Sequence, residues 1–270
     1  SLISSYGMNK NQQNRVKLAA IIELLHTATL VHDDIIDNSD LRRGKTTVNV
    51  AWSNSHGVLI GDFIYSKAFM LMNEIGNFKV IDELSSATNK IAEGELMQLA
   101  NKNNLNTSLQ QLKKISYYKT GRLFEASAKS AAMLSGKSIP FIENISKAAR
   151  LIGIAFQVRD DLLDYGVSKG NIGKPEMQDI LEDKITYPLY FALKYSNKKD
   201  SSKILKKLKN KDFSIEEVAD FVSSSNAFNK CNSLIQNYSN EISKCINNIS
   251  NKEIRDEMLN LSESLKNRYE

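Results

Sequence analysis

Apolar positions along the chain recur at three- and four-residue steps, the period of an α-helix with one buried face. Leu18, Ile21, Ile22, Leu25, Ala28 and Thr29 trace such a face and lead straight into an acidic block. The same period predicts helices over Val58–Ile75, Val80–Asn101, Leu109–Leu134, Ile139–Asp164 and Glu176–Tyr195. Segments Ile215–Val222, Phe228–Ile249 and Glu253–Tyr269 complete the series. Thr107 with Gln110, Ser214 with Glu217 and Ser250 with Glu253 each match a capping box that opens the helix that follows. No alternating strand pattern of useful length occurs. The expectation is an all-α protein: one bundle of long helices over 1–270, with no internal domain boundary.

Composition agrees with this. The 270 residues are 41% hydrophobic, enough for a sizeable core, and include 12 Gly and 3 Pro, so helix breakers are few. No Gly follows Gly173. A net charge of +5 is mild, and the densest basic run, Asn197–Asp212, reads as a solvated helix face. Nothing resembles a nucleic-acid-binding module. Cys231 and Cys245 lack metal-ligand spacing and read as reduced thiols of a cytoplasmic protein. No signal peptide is expected, and no apolar run of the sequence is long enough to span a bilayer.

The chemistry concentrates in "LVHDDIIDNSDLRRGK", Leu30 to Lys45. On a helix, Asp33, Asp34 and Asp37 fall within about 100° of one face. Carboxylates so close repel one another unless a cation sits among them. A hard divalent ion such as Mg²⁺, bound through carboxylates, water and phosphate oxygens, suits that need. An EF-hand calcium loop does not fit, because Ile35 stands at a ligand position and Asn38 where Gly is required. Leu30, Val31, Ile35 and Ile36 leave little of this helix for water, so the carboxylates are expected to face a cavity.

The spacing returns in "AFQVRDDLLDY", where Asp160, Asp161 and Asp164 sit in another apolar helix. Two such triads facing each other across a cavity would hold Mg²⁺ ions around a diphosphate. Arg42 and Arg43 would grip phosphate oxygens from the other side.

With these motifs the chain resembles the trans-polyprenyl diphosphate synthases, which lengthen isoprenoid chains. "DDIID" with "RRG", then "YKT" (Tyr118–Thr120), "FQVRDDLLD" (Phe156–Asp164) and "GKPEMQDILEDK" (Gly173–Lys184) follow the family's order. The resemblance implies the isoprenoid synthase fold and direct Mg²⁺ ligation by Asp33, Asp37 and Asp160, supported by Asp34, Asp161 and Asp164. It implies that Arg42, Lys119, Lys174 and Lys184 hold the allylic diphosphate, and that His26 and Arg43 hold that of isopentenyl diphosphate. Thr120 and Gln157 would line the space where the carbocation forms. It also implies a homodimer, with transient membrane contact when the lipid product leaves. Glu95 and Gln98 either point into the cavity or serve helix packing.

Thr29 and Ala28, just ahead of Asp33, are small where short-chain members carry bulky aromatics. The tunnel is therefore expected to be open there, giving a long product of octaprenyl type, and Phe at Ala28 is expected to shorten it. Leu25, Ile22 and the helix Val58–Ile75 would line or close the deeper part. The family's upstream G-G-K-R-x-R-P-like segment has no counterpart before Asp33. The abrupt start "SLISSYG" reads as the end of a helix whose beginning is missing, so a truncated or omitted segment is expected. Competing readings are a short-chain farnesyl or geranylgeranyl diphosphate synthase, a class I terpene cyclase and a non-catalytic partner subunit. A cyclase would show one aspartate motif, and a partner subunit generally loses aspartates that are all present here.

Overall fold

The computed structural model describes residues 3–5, 12–166 and 177–267. After a 3₁₀ turn (Ile3–Ser5) comes α1 (Gln12–Ile36), a short hairpin of β1 (Leu41–Arg42) and β2 (Lys45–Thr46), and α2 (Val48–Ala51). The long helices α3 (Asn54–Ile75) and α4 (Phe78–Ala100) follow, then α5 (Leu109–Ser116), a π-helical turn (Tyr117–Gly121) and α6 (Arg122–Leu134). Next come α7 (Ile139–Leu163), α8 (Gln178–Leu181), α9 (Tyr187–Tyr195) and α10 (Lys198–Asn210). The last are α11 (Ile215–Ser223), α12 (Ala227–Asn247) and α13 (Lys252–Asn267).

The buried face of α1 carries Leu18, Ile21, Leu25 and Ala28. It packs on α3 and α6 in a core with Met72 of α3 and Leu84 of α4. Gly61 permits close approach of α1 and α3: a Cβ there would lie 2.1 Å from His32 Nε2. A second core gathers α7, α9, α11, α12 and α13 around Ile145, Ile152, Val158 and Leu162. Cys231 and Cys245 are free and buried, as expected of structural thiols.

Three expectations are corrected. The stretch 109–134 is not one α-helix, because a π turn interrupts it, and the stretch expected as Glu176–Tyr195 divides into α8 and α9. Pro188 belongs to the first turn of α9, with extended Thr186 as its N-cap, so a helix cannot run through. Asp183 just before has φ 60. Capping also shifts by one residue at two sites. Ser108 with Gln111 forms the reciprocal box of α5, and Asn251 Oδ1, not Ser250, accepts from Ile254 N at α13. The Ser214 cap holds, accepting from Glu217 N. The hairpin, too short for a periodic pattern, closes through Arg43 and Gly44, at φ 52 and 73. Positive φ at both central residues is the geometry of a type I′ turn.

Candidate active site

Most of the residues singled out by motif meet around one cavity of about 1480 Å³. That exceeds the roughly 300–1,000 Å³ typical of pockets for small ligands. Its lining includes His26, Asp33, Asp37 and Arg42, then Lys119, Thr120 and Gln157, and then Asp160, Asp161, Asp164 and Lys184. Apolar residues of several helices complete it, among them Ile22, Phe69, Ile91, Leu123, Ile152 and Phe156. Lys174 lies outside the described residues.

Asp33 sits at the polar heart of the site. Burial pushes its carboxyl up to about 6, helped by the nearby charges of Glu95 and Asp37 and opposed by Lys119 and Arg42. Lys119 Nζ is 3.8 Å from Asp33, 2.7 Å from Glu95, and donates to Gln98 Oε1 at 2.9 Å. Glu95 and Gln98 thus point into the cavity and fix the lysine. Burial opposes the charge on Lys119, but Asp33 and Glu95 outweigh it and raise its pKa.

The π turn presents this lysine, as such turns often do at functional sites. It lies against Gly94 of α4, where a Cβ would come within 2.7 Å of Lys119 N. Asp37 meets Lys184, whose Nζ donates to both carboxylate oxygens at 3.2 Å. Burial works to raise the Asp37 carboxyl, but Lys184 and Lys119 outweigh it and hold it below the usual range. Lys184 is also paired with Glu182 and, at 3.9 Å, with Asp179. Burial disfavours its charge, yet these carboxylates raise its pKa.

Asp34 does not join the other two. Its Oδ1 accepts from Arg42 Nε at 2.7 Å, and its side chain is buried outside the cavity lining. One helical turn thus supplies two carboxylates to the cavity and one that orients Arg42. Arg43 is exposed in the hairpin turn and does not line the cavity, although its charge adds to the burial that lowers the pKa of His26 against the opposing charge of Glu23.

In the second triad, Asp160 and Asp164 face the cavity, while Asp161 is held on both oxygens. Its Oδ1 accepts from Gln157 Nε2 at 2.9 Å and its Oδ2 from Tyr187 N at 3.1 Å. Burial raises its pKa well above the carboxylate range, and Asp179 adds to that. Thr120 donates to Gln157 Oε1 at 2.8 Å, and Tyr187 meets Ser116 across 3.0 Å. This chain of bonds ties the π turn, the end of α7 and the start of α9 into one frame. Asp161 therefore positions the frame.

Thr29 and Ile22 line the cavity, but Ala28 and Leu25 do not. Ala28 is wholly buried on the packing face of α1, so Phe there would break the core instead of plugging the tunnel. From α3 the lining residues are Asp62, Tyr65, Ser66 and Phe69, none of them a Met. Tyr65, whose hydroxyl burial and then Asp33 push up to about 12, was not foreseen from sequence, nor were Asp179 and Glu182.

The donor set suits Mg²⁺. Among the described residues no three acidic, His or Cys groups converge closely enough to hold an ion alone. Such an ion takes one or two carboxylates and completes its shell with phosphate and water oxygens. Asp33 and Asp37 from one helical turn, and Asp160 and Asp164 from another, offer that.

A helical bundle thus surrounds one large cavity in which acidic and cationic side chains gather beside an apolar wall. The chain belongs to the polyprenyl synthetase family, whose model matches residues 1–225. It is 43% identical over 189 residues to octaprenyl diphosphate synthase of Escherichia coli, covering 70% of this chain and 58% of that protein. It therefore spans little more than half the length of that relative. With an all-trans-nonaprenyl-diphosphate synthase of Rhodobacter capsulatus it shares 38% identity over 232 residues, 85% of this chain and 71% of the relative.

Among solved structures, it superimposes on a polyprenyl synthase from Caulobacter crescentus complexed with calcium and isoprenyl diphosphate. The TM-score is 0.93 at 30% identity, over 99% of this chain and 83% of that one. A decaprenyl diphosphate synthase from Rhodobacter capsulatus gives 0.91 at 28% identity, over 100% and 84%. The fold is the all-α fold of the isoprenoid synthases.

Proposed function

We propose that this chain, as one helical domain, carries the active site of a trans-polyprenyl diphosphate synthase that adds isopentenyl diphosphate to an allylic diphosphate, giving a long-chain product of octaprenyl type. The observation that carries this reading is one cavity lined by Asp33 and Asp37 of the first triad, all three aspartates of the second, three cations and a long apolar wall.

Asp33, Asp37, Asp160 and Asp164 would hold Mg²⁺, which supplies charge neutralisation of the diphosphate as it leaves. Arg42, oriented by Asp34, together with Lys119 and Lys184, grips the allylic diphosphate, with Lys174 joining them by resemblance. These donors are fixed before substrate arrives, so little reorganisation accompanies the departure of the leaving group. His26, which lines the cavity, would take the second diphosphate, with Arg43 joining it by resemblance. The Thr120 hydroxyl donates to Gln157, leaving its lone pairs and the Gln157 carbonyl to stabilise positive charge on the allylic carbon. Apolar side chains of α1, α4, α6 and α7 keep water from that cation.

Two copies of the chain would pair through α3, where Leu59, Phe63 and Met70 form an exposed stripe at helical spacing. None of the helices among the described residues is long and apolar enough to cross a membrane. A lipid product would leave by transient contact with a bilayer surface.

The test is incorporation of labelled isopentenyl diphosphate into extractable product by full-length protein with Mg²⁺. Incorporation that ends with chelator, and in Asp33→Asn and Asp160→Asn, supports the reading. Incorporation unaffected by all three would overturn it.

A further inference from the structure

Arg159, beside the second aspartate triad, is absent from the cavity lining. Its side chain is buried and points to the far end of the chain. Nε donates to Leu265 O at 2.9 Å, and Nη2 to Lys266 O at 2.5 Å. These carbonyls belong to the last turn of α13, where backbone oxygens have no partner within the helix. A guanidinium there satisfies two of them and opposes the negative end of the helix dipole.

The other end of α13 is capped by Asn251. Between its ends, Ile254, Met258, Ser262 and Leu265 form a buried stripe against α7 and α12. Two residues of α13, Met258 and Leu261, line the cavity. The helix α13 is thus a wall of the cavity, and its C-terminal turn is fastened by the residue next to Asp160.

We propose that α13 is a length-setting wall for the growing prenyl chain, and that Arg159 is the positioning residue that latches this wall in place. This rests on the reading of the site as a polyprenyl synthase. The wall is suited to the task. Met258 offers a flexible thioether and Leu261 an aliphatic side chain, both able to pack on an isoprenoid without fixing its register. Because α13 meets the cavity along one face only, its distance from α7 sets the local bore. With the latch gone, the last turns of α13 would open locally while the α7 core remained folded.

Full-length wild type, Arg159→Met, Arg159→Lys, Leu261→Ala and Leu261→Phe would be compared, with farnesyl diphosphate, labelled isopentenyl diphosphate and Mg²⁺. Arg159→Met keeps bulk and removes the donors. It is expected to speed amide exchange over residues 258–267 by about tenfold, leaving the middle of α7 unchanged. Its products should shift to longer chains with a broader spread, while the rate of the first condensation stays within about twofold. Arg159→Lys, which keeps one charged donor, should fall between. Leu261→Ala should lengthen the product and Leu261→Phe shorten it.

An unchanged product ladder in Arg159→Met and both Leu261 variants would overturn the proposal. So would a slower first condensation with an unchanged ladder, which would make Arg159 a prop for Asp160 instead. If Arg159→Met fails to fold, the Leu261 pair decides the wall and Arg159→Lys the latch. If wild type makes no prenyl product, the synthase reading fails and the length-setting role with it, while unchanged exchange at α13 would refute the latch separately.

Discussion

At the scale of single residues, the site stands on groups whose charges the surrounding helices have forced together. Asp33 is the clearest. Its unfolded carboxyl ionises near 3.8 and the folded one near 6, so stability is lost as pH rises through that window and the full penalty holds above it. With the Asp33 side chain 19% exposed, the penalty is on the order of 2–3 kcal/mol. Asp33→Asn should therefore raise the melting temperature of metal-free protein at pH 7.5, by about 2–4 °C per kcal/mol, while abolishing elongation. Calorimetry with and without Mg²⁺ would show it, and a lower melting temperature would contradict it. Thr29→Phe should shorten the product, since Thr29 faces the cavity. Ala28→Phe should instead destabilise the fold by about 1–3 kcal/mol through overpacking, as denaturant titration would show.

The aspartate spacing was legible from sequence because a helix fixes the angle between positions. It did not reveal that Asp34 turns to Arg42 or that Asp161 is held by Gln157 and the Tyr187 amide. Those choices depend on partners distant in sequence. Glu95 and Gln98 could be assigned only once Lys119 was seen between them.

At the scale of elements, one contact between α4 and the π turn places the cation that faces Asp33. Gly94→Ala would put a Cβ within 2.7 Å of the Lys119 backbone nitrogen, where the neighbour is main chain and cannot swing aside. The turn should move off α4 and break the Lys119 bonds to Glu95 and Gln98. Elongation should fall by at least about tenfold, the equivalent of 1.4 kcal/mol in the barrier, with far-ultraviolet circular dichroism unchanged. Wild-type kinetics in Gly94→Ala would refute this. The long helices were readable because their apolar period extends over many turns. The π turn was not, since one inserted residue barely disturbs that period, whereas Pro188 was a signal that could have located the break before α9.

At the scale of the whole molecule, two cores flank one cavity, and buried ion networks connect the helices around it. Arg122 donates to Glu83 Oε1 at 2.6 Å, and Lys129 to Oε2 at 2.5 Å, linking α4 to α6. Glu83→Ala would leave the buried Arg122 without that carboxylate and should cost about 3–5 kcal/mol in chemical denaturation. A loss below 1 kcal/mol would mean that other groups neutralise Arg122. The bundle followed from the sequence because nearly every segment was helical. That both aspartate motifs face one cavity was also legible from their repeated spacing, whereas which of their members reach it, and that Asp34 does not, required the fold.

The central claim is that this cavity builds a long prenyl chain, and chromatography of products from full-length protein with Mg²⁺, farnesyl diphosphate and labelled isopentenyl diphosphate tests it most directly. A ladder ending near octaprenyl length is the predicted result. A product that stops at geranylgeranyl diphosphate, or no elongation at all, would contradict it.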